Sequence, residues 1–331
     1  MVTDTPPPAD PSSPESAPTR EPFRRQQRDL GDQPDRIRPP ELPGDAPPET
    51  DSLRFPLLAL ALVSMIVSLL LAWMQADPSV PAAPRQPNPQ ERLQLPHWID
   101  IPGGRLQQRD PPARFEVAPF RISRTEITVE QFRLFIKYTG YSNPAWADFP
   151  CTGTSTDLSW DRPGYEQADT FPVVCVSARD AMAFAGWLSE QIGQPLRLPT
   201  ELEWEYAARA GTATRFWWGD EYQERYAECF GCGARPPQHP TYVGARAPNP
   251  FGLLDVAGNV REWTCTPFAT RGAGSAGSCA PHFDEATNLV LRGGSWQEPQ
   301  QALELVHRSP FGAWHRNVWT GFRLVAPAQP S

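Results

Sequence analysis

The sequence predicts an α+β domain with a large share of irregular loop, preceded by one membrane-spanning helix. Three observations carry this reading. Three helix starts are marked by capping residues in the middle of the chain. The residues between and after them are dense in Gly, Pro and single aromatics, with only short apolar runs such as Val173 to Val176 and Leu289 to Leu291. One long uncharged stretch lies near the N-terminus.

From Met1 to Arg54 the chain is rich in Pro, Asp, Glu, Arg, Ser and Gln and nearly free of apolar side chains, so burial cannot offset the entropy of ordering it. Residues 1–54 are therefore expected to be a disordered tail. Its runs Pro6-Pro7-Pro8 and Pro39-Pro40 could dock on a cytoplasmic proline-binding partner, but a plain solvated tail is the favoured reading. Phe55 to Ala76 carries no charge, and at ~1.5 Å per residue it reaches roughly 33 Å, enough for a hydrocarbon core of ~30 Å. A cleaved signal peptide would have a shorter apolar stretch and no long polar segment ahead of it. Asp77 to Pro96 holds Pro78, Pro81, Pro84, Pro87 and Pro89 and is expected to be an extended spacer. The folded domain is placed at residues 97–326, with a short tail at 327–331.

All 12 tryptophans except Trp73 lie at or beyond Trp98, where large rings can build a core. Thr128 with Gln131 forms a capping box ahead of Phe132, Phe135 and Ile136, closed by Gly140. Ser177 with Asp180 starts a second helix that buries Ala181, Phe184, Trp187 and Leu188 and stops at Gly193. Thr200 with Glu203 starts a third, with Trp204, Ala207 and Ala208 on one face and Gly211 at its end.

The net charge of −8 and the lack of a Lys/Arg cluster in the tryptophan-rich part exclude an electrostatic nucleic-acid binder. The six cysteines, Cys151, Cys175, Cys229, Cys232, Cys265 and Cys279, all lie beyond the apolar stretch, which points to disulfides in an oxidising compartment. Lys/Arg counts on either side of the span orient it weakly, so the cysteines decide: N-terminus cytoplasmic, C-terminal domain outside. A bacterial inner membrane with a periplasmic domain fits, and a eukaryotic secretory membrane satisfies the same physics. Sequence leaves the pairing open, and proximity favours Cys265 with Cys279, Cys229 with Cys232, and Cys151 with Cys175. Cys229-Phe230-Gly231-Cys232 also has the spacing of a redox or zinc motif. A redox dithiol wants a helix N-terminus, and zinc wants further ligands from Cys265, Cys279 or His239, so a loop-stapling disulfide is the favoured reading.

Several segments occur in a characteristic order: IPGG at Ile101, RTEITVEQF at Arg124, and PVVCVSARDAMAFAGWLSEQIGQPLRLPTELEWEYAARAGT at Pro172. NPFGLLDVAGNVREWT at Asn249, LRGGSW at Leu291 and GFRLV at Gly321 follow. Together they resemble the formylglycine-generating enzyme, or sulfatase-modifying factor, family across nearly all of His97 to Ala326. The resemblance implies a single compact domain related to the C-type-lectin fold, with a calcium-bound loop. By the same resemblance Asp255 and Glu262 would supply carboxylates and Gly258 and Val260 backbone oxygens to Ca2+, as a hard cation prefers. The alternative is that both carboxylates cap turns and pair with Arg261 or Arg246. A second calcium site of the family is not carried over, because Glu228 to Pro240 lacks its Asn and Asp residues.

The resemblance also implies where this chain departs from the family. Active members carry two copper-binding cysteines soon after the GGS motif, and soft thiolates suit that metal. The matching positions here are Glu298 and Leu303, so formylglycine generation is not expected. A sulfoxide-synthase branch of the wider family uses histidine-bound iron and an extra N-terminal helical domain, for which this chain has a tail and an anchor. Its histidines, His97, His239, His282, His307 and His315, show no HxxxH or HExxH spacing. Copper or iron is therefore not expected, although His307 and His315 could converge in space. In the family, the stretch after GGS floors a substrate groove. Ser295, Trp296, Glu298, His307, Arg308, Trp314 and His315 are candidates to bind a polypeptide or other ligand there, against the alternative of core tryptophans and a solvated face. The sequence thus supports a calcium-stabilised, membrane-anchored binding or structural module, or else a metal-dependent oxidoreductase.

Overall fold

A computed structural model of the chain describes residues 95–329 except 110–111, 144–146, 154, 235, 270–276 and 281, together with Met65. The expected tail, the span at 55–76 apart from Met65, and most of the spacer lie outside the described residues. Among the described residues no helix is long and apolar enough to cross a membrane. The chain divides into two units, Met1–Asp77 and Pro78–Ser331, and all the structure below belongs to the second.

The elements run β1 (Trp98–Ile101), β2 (Gly104–Arg109), β3 (Pro112–Val117), β4 (Phe120–Ser123), α1 (Val129–Thr139), β5 (Cys151–Thr152), α2 (Ala178–Ile192) and α3 (Glu201–Arg209). Then come β6 (Arg261–Pro267), β7 (Asn288–Arg292), β8 (Ser309–Gly312), β9 (Arg316–Asn317), β10 (Thr320–Gly321) and β11 (Val325–Pro327). This is the α+β arrangement expected, with short strands and long connections.

All three helices begin where the capping boxes place them. Thr128, Ser177 and Thr200 each accept from the amide three residues on, and Gln131, Asp180 and Glu203 each reach back to the cap amide. Gly140 and Gly193 close the first two in the left-handed conformation. The third ends one residue earlier than expected, at Ala210 with φ 46°. A single alanine in that region costs about 1–2 kcal/mol, offset in part by the bond from the cap amide to the Tyr206 carbonyl.

Strands β1, β4 and β11 form an antiparallel sheet, and β10, β6, β7 and β8 form a mixed one in which β10 runs parallel to β6. Helices α1 and α2 pack their aromatic faces together, with Phe132 and Phe184 ring centres 5.9 Å apart, against Trp263, Leu289, Leu291 and Phe322 of the mixed sheet and its surroundings. Trp263 is buried, and its indole Nε1 donates to the Val176 carbonyl at 3.0 Å. Helix α3 packs Leu202, Trp204 and Ala207 in a second cluster with Ile101, Ile122 and Val325 of the three-stranded sheet.

The run Val173 to Val176 is buried but is not a strand. Cys175 turns to φ 59° within it and bridges to Cys151. The other bridges are Cys229–Cys232 and Cys265–Cys279, so the pairing by proximity holds and no thiolate is left for zinc. Sequence separations of 24 and 14 give the two long bridges about 3 kcal/mol each in the chain-entropy account, and the separation of 3 gives about 2 kcal/mol.

Candidate functional site

Strand β7 ends at Arg292, and the chain then doubles back through Gly293 (φ 92°) and Gly294 (φ 70°). A Cβ on Gly294 would stand 2.8 Å from the Ala302 carbonyl oxygen, so this turn requires glycine on both counts. The reversal delivers Ser295 to a buried position, where its hydroxyl donates to Glu298 Oε2 at 3.0 Å. Arg261, at the start of β6, donates from Nε and Nη2 to the two oxygens of Glu298. The two side chains are 21% and 16% exposed. Leu303 is buried among Cys229, Cys232, Ala257 and Ala302. Glu298 and Leu303, the positions that the resemblance sets against the family's cysteines, are thus one member of an ion pair and a core leucine.

His307 stands near this pair. Burial pulls its imidazole below the usual value, the Glu298 charge opposing and that of Arg261 assisting, and its Nε2 lies 3.2 Å from the Ser309 hydroxyl. A cleft of about 560 Å³ is lined by Glu228, Pro236, Pro237, Gln238, His239 and Thr241. Two residues beyond Glu228, the Phe230 amide donates to the Glu298 carbonyl at 2.9 Å. His239 stacks on Tyr165 at 5.4 Å between ring centres, and its Nδ1 lies 2.8 Å from the Pro240 carbonyl oxygen, which can only accept.

The remaining groove candidates are placed elsewhere. Trp296 is buried against the Cys151–Cys175 bridge and Val318. Arg308 is held by both oxygens of Glu201, at 2.5 and 2.7 Å. Trp314 lies beneath the Arg179 guanidinium, 3.9 Å from ring centre to Cζ, and beside Phe149. His315 packs between Phe149 and Phe311, so it does not share the surroundings of His307. Ser295, Glu298 and His307 come together; Trp296, Arg308, Trp314 and His315 serve packing and ion pairs.

The predicted calcium loop forms a buried carboxylate cluster. Asp255 takes φ 55° and accepts from the Gly244 amide and, at 3.4 Å, from the Arg246 amide, so it caps a turn without meeting the Arg246 side chain. Glu262 is fully engaged: Arg323 Nε and Nη2 donate to it at 2.6 and 2.7 Å, and Trp204 Nε1 at 2.7 Å. Arg246 and Arg261 have other partners, Glu228 and Glu298. Gly258 (φ 85°) passes so close to Glu228 that a Cβ would lie 2.0 Å from its carbonyl oxygen, and Val260 is buried.

Glu126, which sequence reasoning passed over, completes the cluster. It is 1% exposed; its Oε1 accepts from Asn259 Nδ2 at 3.0 Å, and its Oε2 has no hydrogen-bond partner among the described residues. Burial first, then the Asp255 charge, hold its carboxyl well above the usual range, with Arg323 opposing. Burial likewise pushes Asp255 up to about 6 against the pull of the Gly244 amide and Arg323. Three carboxyl groups, Glu126, Asp255 and Glu262, therefore answer to one guanidinium. Among the described residues no group of three His, Cys, Asp or Glu side chains could hold a metal ion, and the one oxygen of this cluster without a partner is Glu126 Oε2. A signal was available in the sequence: Glu126 is an acidic residue set between Thr125 and the core residue Ile127, just ahead of a helix cap.

The model of the sulfatase-modifying factor enzyme 1-like domain family matches residues 83–328. A formylglycine-generating enzyme of Mycobacterium tuberculosis is 30% identical over 300 residues, spanning 70% of this chain and 98% of that protein. The inactive C-alpha-formylglycine-generating enzyme 2 of Bos taurus is 29% identical over 248 residues, spanning 60% of this chain and 76% of that protein. Among solved structures, PvdO from Pseudomonas aeruginosa superposes with a TM-score of 0.61 at 27% identity, covering 74% of this chain and 99% of that one. Fold, motif order and family match agree, and the chain belongs to the sulfatase-modifying factor, or formylglycine-generating enzyme, family.

Proposed function

We propose that this protein is a calcium-stabilised binding module of the family that does not generate formylglycine. It is anchored by one span in the cell inner membrane, with its N-terminus cytoplasmic and its domain in the periplasm. The observation that carries the reading is the Arg261–Glu298 pair beside buried Leu303, at the positions matching the family's copper-binding cysteines. Neither side chain offers a soft ligand, and all six cysteines are bridged. A relative named as inactive is consistent with loss of the oxidation within this family.

Calcium, when bound, supplies a fixed positive charge and no redox chemistry. Asp255 and Glu126, with backbone oxygens of Gly258 and Val260, would hold it, while Glu262 keeps Arg323 in place beside them. The loop from Asp255 to Val260 leads directly into Arg261 and β6, so ordering it would order the Arg261–Glu298 pair. A polypeptide or other ligand would meet the partly exposed Arg261, Glu298 and His307 there, with buried Ser295 hydrogen-bonded to Glu298. The test is oxygen uptake by the purified protein, supplied with Cu(I), on cysteine-containing peptides. The reading predicts uptake equal to that of the protein-free blank, and thiol-dependent uptake that saturates with peptide would refute it.

A further inference from the structure

The three disulfides differ in what they hold. Cys151–Cys175 and Cys265–Cys279 close sequence separations of 24 and 14, and both lie in or beside the hydrophobic clusters that join the sheets and helices. Cys229–Cys232 closes a separation of only 3. The constraint a bridge puts on the unfolded chain grows with the loop it closes, so this one contributes least to the fold. Its turn is also fixed by bonds that do not involve sulfur. The Cys232 amide donates to the Cys229 carbonyl at 3.2 Å, the Tyr222 hydroxyl to the Cys232 carbonyl at 3.1 Å, and the Phe230 amide to the Glu298 carbonyl.

The position of the turn matters as much as its size. Its inner side packs on Ala257, Ala302 and Leu303, directly behind the Arg261–Glu298 pair. Its outer side faces solvent: Phe230 is 55% exposed, and a Cβ on Gly231 would meet nothing within 4 Å. Cys232, at 6% exposure against 1% for Cys229, is the end nearer solvent. The bridge that closes the shortest loop thus packs behind the Arg261–Glu298 pair, with exposed Phe230 at the tip of its turn and Cys232 the less buried of its two ends.

We propose that Cys229 and Cys232 form a reversible dithiol–disulfide couple that exchanges with thiol-bearing molecules at the groove. A substrate thiolate attacks the Cys232 sulfur, the bridge breaks, and Cys229 leaves as a thiolate that takes up a proton. A second thiol of the substrate then attacks its own sulfur in the mixed disulfide and releases Cys232. The substrate dithiol is oxidised to a disulfide by two electrons, and the protein is left as the dithiol. A disulfide-bearing oxidant, small or protein, reverses the sequence and restores the bridge. This activity is independent of calcium and of the oxygen chemistry that the family's cysteines perform.

The test uses the full-length protein equilibrated with dithiothreitol at graded reduced-to-oxidised ratios, quenched with acid, alkylated, and resolved bridge by bridge by mass spectrometry. Cys229 and Cys232 are expected to open at a ratio at least about tenfold lower than either other bridge, with the near-ultraviolet circular dichroism unchanged. In a second assay the protein is expected to accelerate the oxidation of dithiothreitol by glutathione disulfide. The Cys229→Ser/Cys232→Ser variant, folded by the same spectrum, is expected to give the uncatalysed rate. All three bridges opening together, Cys229–Cys232 opening last, or equal rates for the two proteins would each overturn the proposal.

Discussion

Arg323 grips Glu262 with two parallel hydrogen bonds, 2.6 Å from Nε and 2.7 Å from Nη2, and neither side chain reaches solvent. The remaining guanidinium protons go to the carbonyls of Ser123, Arg124 and Leu254, so one side chain ties β4, the Asp255 loop and β6 together. Breaking such a pair strands the other charge. Arg323→Met is expected to cost about 3–5 kcal/mol in chemical denaturation, because Glu126, Asp255 and Glu262 then lose the cation they share.

Glu126 is predicted to respond differently with and without calcium. In chelator, Glu126→Gln exchanges a carboxyl that burial and the Asp255 charge already hold toward its neutral form for a neutral amide, so stability is expected to change little. With calcium in excess the variant is expected to gain less than the wild type, since it has lost a ligand oxygen of full charge. Thermal melts of both proteins in chelator and in calcium check this. Equal calcium-induced shifts would remove Glu126 from the site.

Gly258 is predicted to be irreplaceable on steric grounds. Its φ of 85°, and the 2.0 Å that would separate an alanine Cβ from the Glu228 carbonyl oxygen, leave no room for a side chain. Gly258→Ala is expected to lose at least about 2 kcal/mol and to weaken calcium binding, by denaturation and calcium titration.

Acid sensitivity should trace in part to Asp180. Burial alone would raise its carboxyl, but the hydrogen bonds and charge of Arg316, with Asn143 and the Ser177 amide, win and hold it below its ordinary value. A carboxyl lowered on folding stabilises fully above its unfolded value and loses that contribution as pH falls through the folded one. Stability is expected to drop below about pH 4, and the drop should be shallower in Asp180→Asn, which is also less stable at neutral pH because Arg316 stays buried without its counter-charge.

What the sequence disclosed was mostly local. The capping boxes at Thr128, Ser177 and Thr200 involve residues three apart, so propensity and hydrogen bonding decide them without the rest of the chain. The disulfides follow the same logic, since each cysteine pairs with its neighbour in sequence. Long-range relations were not legible. Nothing near Glu126 announces that Arg323 and Asp255 will surround it, and nothing near Arg308 announces Glu201. Trp314 and His315 follow GGSW closely enough to suggest a groove, yet their packing on Phe149, far upstream in the chain, takes them away from Glu298.

Metal content tests the central claim most directly. Elemental analysis of the purified protein, after exchange into metal-free buffer, should find about one calcium per chain and only trace copper and iron. Copper or iron at a full equivalent, retained through that exchange and lost in Glu298→Ala or His307→Ala, would contradict it. The groove would then be a redox centre built on ligands other than thiolates.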